Sequence, residues 1–437
     1  MAESTKTEVG SYFISNYPPF SQWSKEAVGE VAEALGSPPV APASGEVAPL
    51  GLYLHLPFCR KRCKFCYFKV FTDKNGQEVE RYLAALSKEI ELVSQQPIMG
   101  GRPFRFVYFG GGTPSFLSSR QLTRLVDRLR ANIDWSLTEE VTFECEPGTL
   151  SEAKVGTLKE IGVTRLSLGV EHFDDKILRD NGRAHESMEI DRAWPWIEAA
   201  GFDSVNVDLI SGMAGDTTAK WEDAVRRVIA MNPGSVTIYQ MELPYNTVIS
   251  KGVLAGEESP IASWQQKRDW LAWAFDQLAA AGYEQSSAYT MVRPGTKFSY
   301  RDNLWQGSDL LATGIASFGH ASGVHYQNLP EWEQYLGALE GGELPLGRAL
   351  RITPHQALVR EMILQLKKGW LPPAYFGEKF GVDIIENWRD VWTGYQAEGL
   401  VSRLDSERIE LTRDGLLRVD SLLPAFFEEE HQGVRYT

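Results

Sequence analysis

The stretch Tyr53-Leu54-His55-Leu56-Pro57-Phe58-Cys59-Arg60-Lys61-Arg62-Cys63-Lys64-Phe65-Cys66-Tyr67-Phe68 decides how the rest of the chain is read. An apolar run that reads as a strand, Leu52–Leu56, ends in three cysteines at C-x3-C-x2-C spacing. Three thiolates on one tight loop suit a [4Fe–4S] cluster in which three irons take Cys59, Cys63 and Cys66 and the fourth stays open for chemistry. A zinc loop is the bland alternative. Zinc takes four closed ligands, and no nearby Cys or His completes a familiar spacing.

Outward from that loop, strands and helices alternate. Strand patterns at Phe104–Phe109, Val141–Cys145, Arg165–Val170, Ser204–Ile210 and Ser235–Met241 are separated by helical periodicity over 78–94, 118–133, 151–161, 188–200 and 218–231, with a long helix at 261–281. Six βα units in succession predict a parallel sheet covered by helices, because each parallel crossover needs a helix to return the chain. Polar and glycine-rich motifs fall just after the strands, where α/β barrels place their chemistry. A further strand is expected at Gln285–Tyr289. The C-terminal part reads as a helix at 355–366, a helix at 382–398, a hairpin of Val401–Leu404 with Arg408–Leu411, and a helix at 414–427. That order resembles a winged-helix unit.

The fold class is therefore α/β, a partial (β/α)6 barrel with a C-terminal winged-helix-like α+β domain. The expected division is 1–49 as an aromatic segment and linker, 50–290 as the barrel, 291–349 as an extension over the barrel, and 350–437 as the C-terminal domain. A length of 437 residues, 43% hydrophobic and 23% charged, fits a large and a small globular domain. The formal charge of −14 argues against nucleic acid or an anionic membrane as partner. No run reaches the ~18–20 apolar residues of a membrane span, and residues 1–10 lack the regions of a secretory signal. Three thiols kept for a metal imply a reducing, cytoplasmic setting. The cations Arg60, Lys61, Arg62, Lys64 and Lys69 read mainly as a solvated loop face, or as a docking patch for an electron donor such as flavodoxin or ferredoxin.

The motifs after the strands are Phe109-Gly110-Gly111-Gly112-Thr113-Pro114, Thr142-Phe143-Glu144-Cys145-Glu146-Pro147, Arg165-Leu166-Ser167-Leu168-Gly169-Val170-Glu171-His172, Asn181-Gly182-Arg183-Ala184-His185 and Asn206-Val207-Asp208-Leu209. Glycines after a strand permit positive φ and close backbone approach. Asp208, on an otherwise apolar strand, needs a partner, and ligand hydroxyls are the expected one. Cys145 reads as core. His55 reads as either a hydrogen-bonding neighbour of the cysteine loop or core. His172 and His185 are candidate proton carriers, His320 and His325 read as structural, and Tyr239, Gln240, Glu242 and Tyr245 are candidates to face substrate.

The cysteine spacing with Phe65 before the last cysteine resembles the radical S-adenosylmethionine (SAM) superfamily. The ordered set of motifs resembles its oxygen-independent coproporphyrinogen III oxidase family, closer to diversified methyltransferase-type members than to the authentic oxidase. The resemblance implies a cluster on the three cysteines, SAM cleaved to a 5′-deoxyadenosyl radical, and use of two SAM molecules on a small planar unsaturated substrate, a tetrapyrrole or another. It implies Tyr53 and Phe65 beside cluster and adenine. It also implies Gly111, Gly112 and Thr113 with Glu144 at SAM's amino-acid end or a second SAM, and Glu171, Arg183 and Asp208 on the cluster-bound SAM, where relatives carry Gln in place of Glu171. Tyr53, His55 and Glu144 are the candidate catalytic residues. Authentic oxidases carry another cysteine where Phe68 stands, and haem-trafficking relatives carry a histidine motif that Arg301-Asp302-Asn303-Leu304-Trp305-Gln306 disrupts. The family's oxidase and haem-chaperone activities are the alternatives to methyl or methylene transfer.

Overall fold

The computed structural model describes residues 7–10, 13–39 and 47–434. Six parallel strands lie side by side in chain order: β1 (Leu50–Leu56), β2 (Phe104–Gly111), β3 (Glu140–Cys145), β4 (Arg165–Glu171), β5 (Ser204–Ser211) and β6 (Ser235–Gln240). Each crossover carries at least one helix, as a parallel connection requires. Local chemistry sets where those helices start. Asn75 with Glu78, and Ser118 with Gln121, form reciprocal capping boxes that satisfy otherwise orphaned N–H groups.

Alternation along the strands separates two environments. Leu52, Leu54, Val107, Phe109, Phe143, Leu166, Leu168 and Val207 point outward and are buried in the main core under the helices. The intervening Tyr53, Tyr108, Glu144, Ser167, Asn206, Asp208, Thr237 and Tyr239 lie on the opposite, concave side. That polar side is the interior of the barrel.

A hairpin of β7 (Glu284–Gln285) and β8 (Thr290–Val292) extends the sheet antiparallel to β6. At the other edge β9 (Asp309–Thr313) runs parallel to β1. β10 (Phe318–Ala321), β11 (Val324–Asn328) and β12 (Leu346–Arg351) continue outward antiparallel, giving a twelve-stranded open sheet. The C-terminal part has its own core around Leu358, Met362, Trp392 and Phe426. Its small sheet has the order β13 (Trp370–Leu371), β15 (Ile409–Leu411), β14 (Val401–Leu404).

Several expectations are corrected here. Within 291–349 the chain adds β9 to β12 at the β1 edge, the helix Trp332–Glu340 packs beside the helix Gly76–Ser94, and the helix Ser299–Trp305 lies against β2 and β3. There the backbone N–H groups of Ser299 and Tyr300 donate to Glu140 at 2.7 and 3.1 Å. The strand expected at 285–289 is two short strands flanking a turn. The helix expected at 382–398 breaks at Trp388, whose backbone (φ −124°, ψ 36°) leaves the helical region. The helix expected at 414–427 is likewise two short helices and a 3₁₀ turn. Helices Pro373–Phe380 and Val248–Leu254 were not anticipated. Part of the expected 37–49 linker lies outside the described residues. The N-terminal aromatic segment packs against the C-terminal domain as well as the barrel: Ile14 and Tyr17 belong to the C-terminal core, and Trp23 stacks on His325 at 5.2 Å.

One buried carboxylate fastens the β9 edge to the barrel. Glu89 accepts from Gly314 N–H at 2.8 Å, the Asn328 amide at 2.5 Å and Tyr335 hydroxyl at 2.6 Å. Burial outweighs these three donors and pushes its pKa up to about 7. A carboxyl group raised in the folded state stabilises fully below its unfolded value of 4.5 and progressively less as pH rises through 7. Wild-type protein is therefore expected to lose about 3 kcal/mol relative to Glu89→Gln between pH 4.5 and 8. Urea unfolding across that range measures it, and parallel curves for the two proteins refute it.

Candidate functional site

The three cysteines occupy the loop after β1, and backbone bonds from three other loops pin it at the C-terminal ends of the strands. Gly112 N–H donates to Leu56 O at 2.9 Å and Thr113 N–H to Phe58 O at 2.8 Å. Lys64 N–H donates to Asn181 O at 2.9 Å, and Val248 N–H to Lys64 O at 3.0 Å. Phe65 drops into a small apolar cluster with Ile177, Ile210, Met213, Met241 and Leu243, so the loop is anchored by a side chain as well. Glycine is needed at this seam: a Cβ on Gly112 would lie 2.9 Å from the Leu56 and Phe58 backbones. Gly111, at φ +111°, lies under the His55 ring. Both glycines therefore serve close packing of strand against loop.

Donors converge on the sulfurs. Thr113 hydroxyl lies 3.4 Å from Cys59 Sγ and Arg183 Nη1 3.4 Å from Cys63 Sγ. Burial pushes the free thiols up, Cys59 to about 11 and Cys66 to about 12, so metal binding here displaces protons. A tetrahedral zinc with sulfurs at ~2.3 Å would hold them about 3.8 Å apart. Among the described residues, the one trio of Cys, His, Asp or Glu ligand atoms mutually within 4.8 Å is Glu428, Glu430 and His431, far along the chain. Three soft thiol donors on one loop, none in a disulfide, suit a cubane that takes each thiolate on a different iron.

Below the loop, three carboxylates face the barrel interior. Glu144 accepts from Tyr108 hydroxyl at 2.8 Å and from Gly111 N–H at 3.2 Å. Burial pushes it up to about 7. Glu171 ends β4 at a register shift with φ +63°. Left-handed backbone at a residue other than glycine costs about 1–3 kcal/mol, and the bulge re-aims its carboxylate toward Arg183, 3.5 Å away. Burial pushes Glu171 up to about 7 despite that guanidinium. Arg183 also donates to Gly169 O at 2.7 Å, while its buried Nε has no partner among the described residues. Asp208 has partners within the chain already. Ser167 hydroxyl donates to it at 2.9 Å and the Asn206 amide at 2.9 Å, and Asn206 Oδ1 in turn accepts from Ser235 and Thr237.

Tyrosines wall this interior. Tyr53 stacks on Tyr108 with ring centroids 5.9 Å apart, and Tyr300 from the floor comes to 4.4 Å of Tyr108. Tyr239 is 41% exposed although Asp208, Glu144 and Glu171 surround its hydroxyl electrostatically, so the interior is open from the strand ends. Tyr67 and Phe68, 44% and 42% exposed, sit at its rim with ring centroids 4.5 Å apart. Tyr108 and Tyr300 were missed in the sequence. Tyr108 pairs with Tyr53 across β1 and β2, a relation hidden until register is known.

The remaining candidates separate cleanly. His55, buried, bonds Tyr53 hydroxyl at 3.2 Å, and burial lowers its pKa to about 4. His172 accepts from Asp174 N–H at 2.9 Å and faces Asp216 at 3.4 Å. His185 lies 3.3 Å from Glu146 and 3.2 Å from Val170 O. Both are buried. His320 and His325 bond each other at 3.0 Å. Cys145 is buried. Arg60, although its side chain is 36% exposed, is also paired: it grips Glu146 at 2.8 and 3.3 Å and Ala184 O at 2.9 Å. Burial opposes ionisation of Glu146, but His185 and Arg60 outweigh it and hold the carboxyl at about 2.

Comparison with known proteins places the geometry in context. Residues 53–228 match the radical SAM superfamily model. The haem chaperone HemW of Lactococcus lactis is 29% identical over 376 residues, covering 84% of this chain and 94% of its own. The oxygen-independent coproporphyrinogen III oxidase of Pseudomonas aeruginosa is 29% identical over 398 residues, covering 86% and 85%. The solved coproporphyrinogen III oxidase of Escherichia coli superposes with a TM-score of 0.81 at 24% identity, covering 95% of this chain and 96% of its own; the two share the fold. Among the described residues no helix is long and apolar enough to cross a membrane.

Proposed function

Because the chain belongs to the radical SAM superfamily and is homologous to coproporphyrinogen III oxidases and haem chaperones, we propose that it abstracts hydrogen from a planar, tetrapyrrole-like small molecule. Cys59, Cys63 and Cys66 would hold the [4Fe–4S] cluster, and Glu144, Glu171, Arg183 and Asp208 would hold SAM. The reduced cluster with bound SAM supplies methionine and a 5′-deoxyadenosyl radical. What carries this reading is the convergence of Arg183 on Cys63 and Glu171, which ties the thiol loop to the carboxylate-lined interior.

The chain's own groups then have defined work. Arg183 offsets thiolate charge and fixes the Glu171 carboxylate. Among the described residues Glu144 and Glu171 make no salt bridge beyond that of Glu171 with Arg183, Arg165 acting on Glu144 only at longer range, so they suit a ligand that brings positive charge, as SAM does with its ammonium and sulfonium. Asp208, held from behind by Ser167 and Asn206, keeps lone pairs for ribose hydroxyls. Tyr53, Tyr108 and Tyr300 wall the radical off from water. The exposed rings of Tyr67, Phe68 and Tyr239 offer flat apolar surface to a planar substrate.

A second reading, methyl or methylene transfer from a second SAM, is favoured by Phe68 standing where authentic oxidases carry cysteine. Anaerobic turnover of reconstituted protein with methyl-labelled SAM separates the two, with 5′-deoxyadenosine and S-adenosylhomocysteine quantified together by mass spectrometry. Deoxyadenosine with an unlabelled, altered tetrapyrrole supports oxidation. Both products with label in a new metabolite support transfer. Stoichiometric haem binding with neither product, on protein with an intact cluster, supports a haem carrier and overturns both.

A further inference from the structure

The carboxylates of the barrel interior already have partners within the chain. Glu140, at the start of β3, accepts from Thr142 hydroxyl at 3.0 Å and from the Ser299 and Tyr300 N–H groups. Glu144 has Tyr108 and Gly111, Glu171 has Arg183, and Asp208 has Ser167 and Asn206. The second arginine of the interior is left out of this pairing. Arg165 opens β4, between Thr142 of β3 and Ser204 of β5, and alternation puts it on the same face as Ser167. It is 3% exposed, yet among the described residues no hydrogen bond or ion pair reaches its guanidinium, and its Nε is buried without a partner. Its Cζ lies 3.9 Å from the centre of the Phe298 ring, a face that attracts a cation but takes none of its N–H groups in the plane of the fork. Burial raises the pKa of both Glu144 and Asp208, and Arg165 opposes the rise in each without touching either. A guanidinium keeps its charge at any pH a protein meets, so burying one without an acceptor is costly. Here the chain supplies no acceptor.

We propose that Arg165 is the receptor for a carboxylate of the bound ligand, taken by the guanidinium fork inside the barrel. The inference rests on the reading under Proposed function and deepens it, because it requires an acid group on a molecule that enters the interior. The fork's parallel N–H groups match the two oxygens of a carboxylate. The interior acids suit the cationic and hydroxyl groups of a ligand and repel its anionic one, which leaves Arg165 as the place for it. Two molecules could bring that carboxylate: the planar substrate, through an acid side chain, or a second SAM, through its amino-acid end. The chemistry at Arg165 is the same for both.

The test uses anaerobic, reconstituted holoprotein, with coproporphyrin III as a planar tetracarboxylate and its tetramethyl ester as the uncharged match. Porphyrin binding is read by fluorescence and SAM stoichiometry by equilibrium dialysis of labelled SAM. Arg165→Gln is expected to weaken the acid roughly tenfold or more and the ester about twofold or less. Arg165→Lys should recover only part of the loss, since an ammonium supplies charge but no fork. That pattern assigns the carboxylate to the substrate. Loss of one of two bound SAM molecules in Arg165→Gln, with porphyrin affinity unchanged, assigns it to a second SAM. Arg165 makes no hydrogen bond within the described residues, so both variants should fold, and iron and sulfide content and the urea midpoint check this. Equal porphyrin affinity and equal SAM stoichiometry in wild type and Arg165→Gln would overturn the receptor. So would equal losses for acid and ester, which would mark a residue that only offsets Glu144 and Asp208, and so would a wild type that binds neither porphyrin and a single SAM. Absence of 5′-deoxyadenosine from wild type with an intact, reduced cluster and bound SAM would instead overturn the radical reading and leave the binding result standing.

Discussion

Replacing any one of Cys59, Cys63 and Cys66 with alanine is expected to cut 5′-deoxyadenosine formation by roughly a thousandfold or more, to background. The loss is all-or-none because a cluster held by three thiolates has no spare ligand: the nearest other cysteine, Cys145, is buried on β3 with its side chain in the core. Iron and sulfide content should fall in step with activity. Cys145→Ala is the matched control. It removes a thiol from the outward, helix-covered face of β3, so it should lower stability modestly and leave iron content and SAM cleavage intact. A Cys63→Ala protein that retained the cluster, or a Cys145→Ala protein that lost it, would show that the sulfurs at the mouth of the barrel are not its ligands.

The reason those cysteines were legible is that their relation is local. Their spacing, the apolar run before them and the helix after them all lie within one short segment, and the same is true of each βα unit from β1 to β6. Relations that cross the sheet were not legible. Asp208 looked like a residue waiting for a ligand because its partners arrive through register: Ser167 and Asn206 face each other across β4 and β5, and only that pairing puts both donors on the carboxylate. Arg60 looked like a solvent cation because Glu146 lies 86 positions away. Glu171 gave no hint of its left-handed backbone, since nothing in a glutamate advertises positive φ; the bulge at the end of β4 imposes it. The short strands β7 to β12 failed for another reason. Segments of two to six residues carry too few periods for alternation to declare itself, and β9 is defined by parallel pairing with a strand some 260 positions earlier.

Arg183→Met is expected to have the second large effect, and its pH dependence identifies the cause. The side chain has three partners: Cys63 Sγ at 3.4 Å, Gly169 O at 2.7 Å and Glu171 at 3.5 Å. Methionine fills the volume but satisfies none of them, and Glu171 becomes a buried carboxylate without a cation. Breaking a buried pair by deleting one partner costs about 3–5 kcal/mol when the survivor is ionised. Glu171 is already raised by burial to about 7 with Arg183 present, and deleting the cation raises it further. Its contribution is therefore fully present below the unfolded value of 4.5 and lost as pH rises. The penalty of the Met variant should be about 1.4 kcal/mol larger at pH 8 than at pH 6, measured by urea unfolding. Arg183→Lys should recover part of this, since an ammonium can meet Glu171 but lacks the fork that reaches Cys63 and Gly169 together. Adding Glu171→Gln to Arg183→Met should restore most of the stability at pH 8, because the unpaired charge is gone, while leaving SAM affinity weak. A double variant no more stable than Arg183→Met would mean that the lost bonds to Cys63 and Gly169, rather than the orphaned carboxylate, set the cost. A Met variant that bound SAM as tightly as wild type would remove Arg183 from the SAM site.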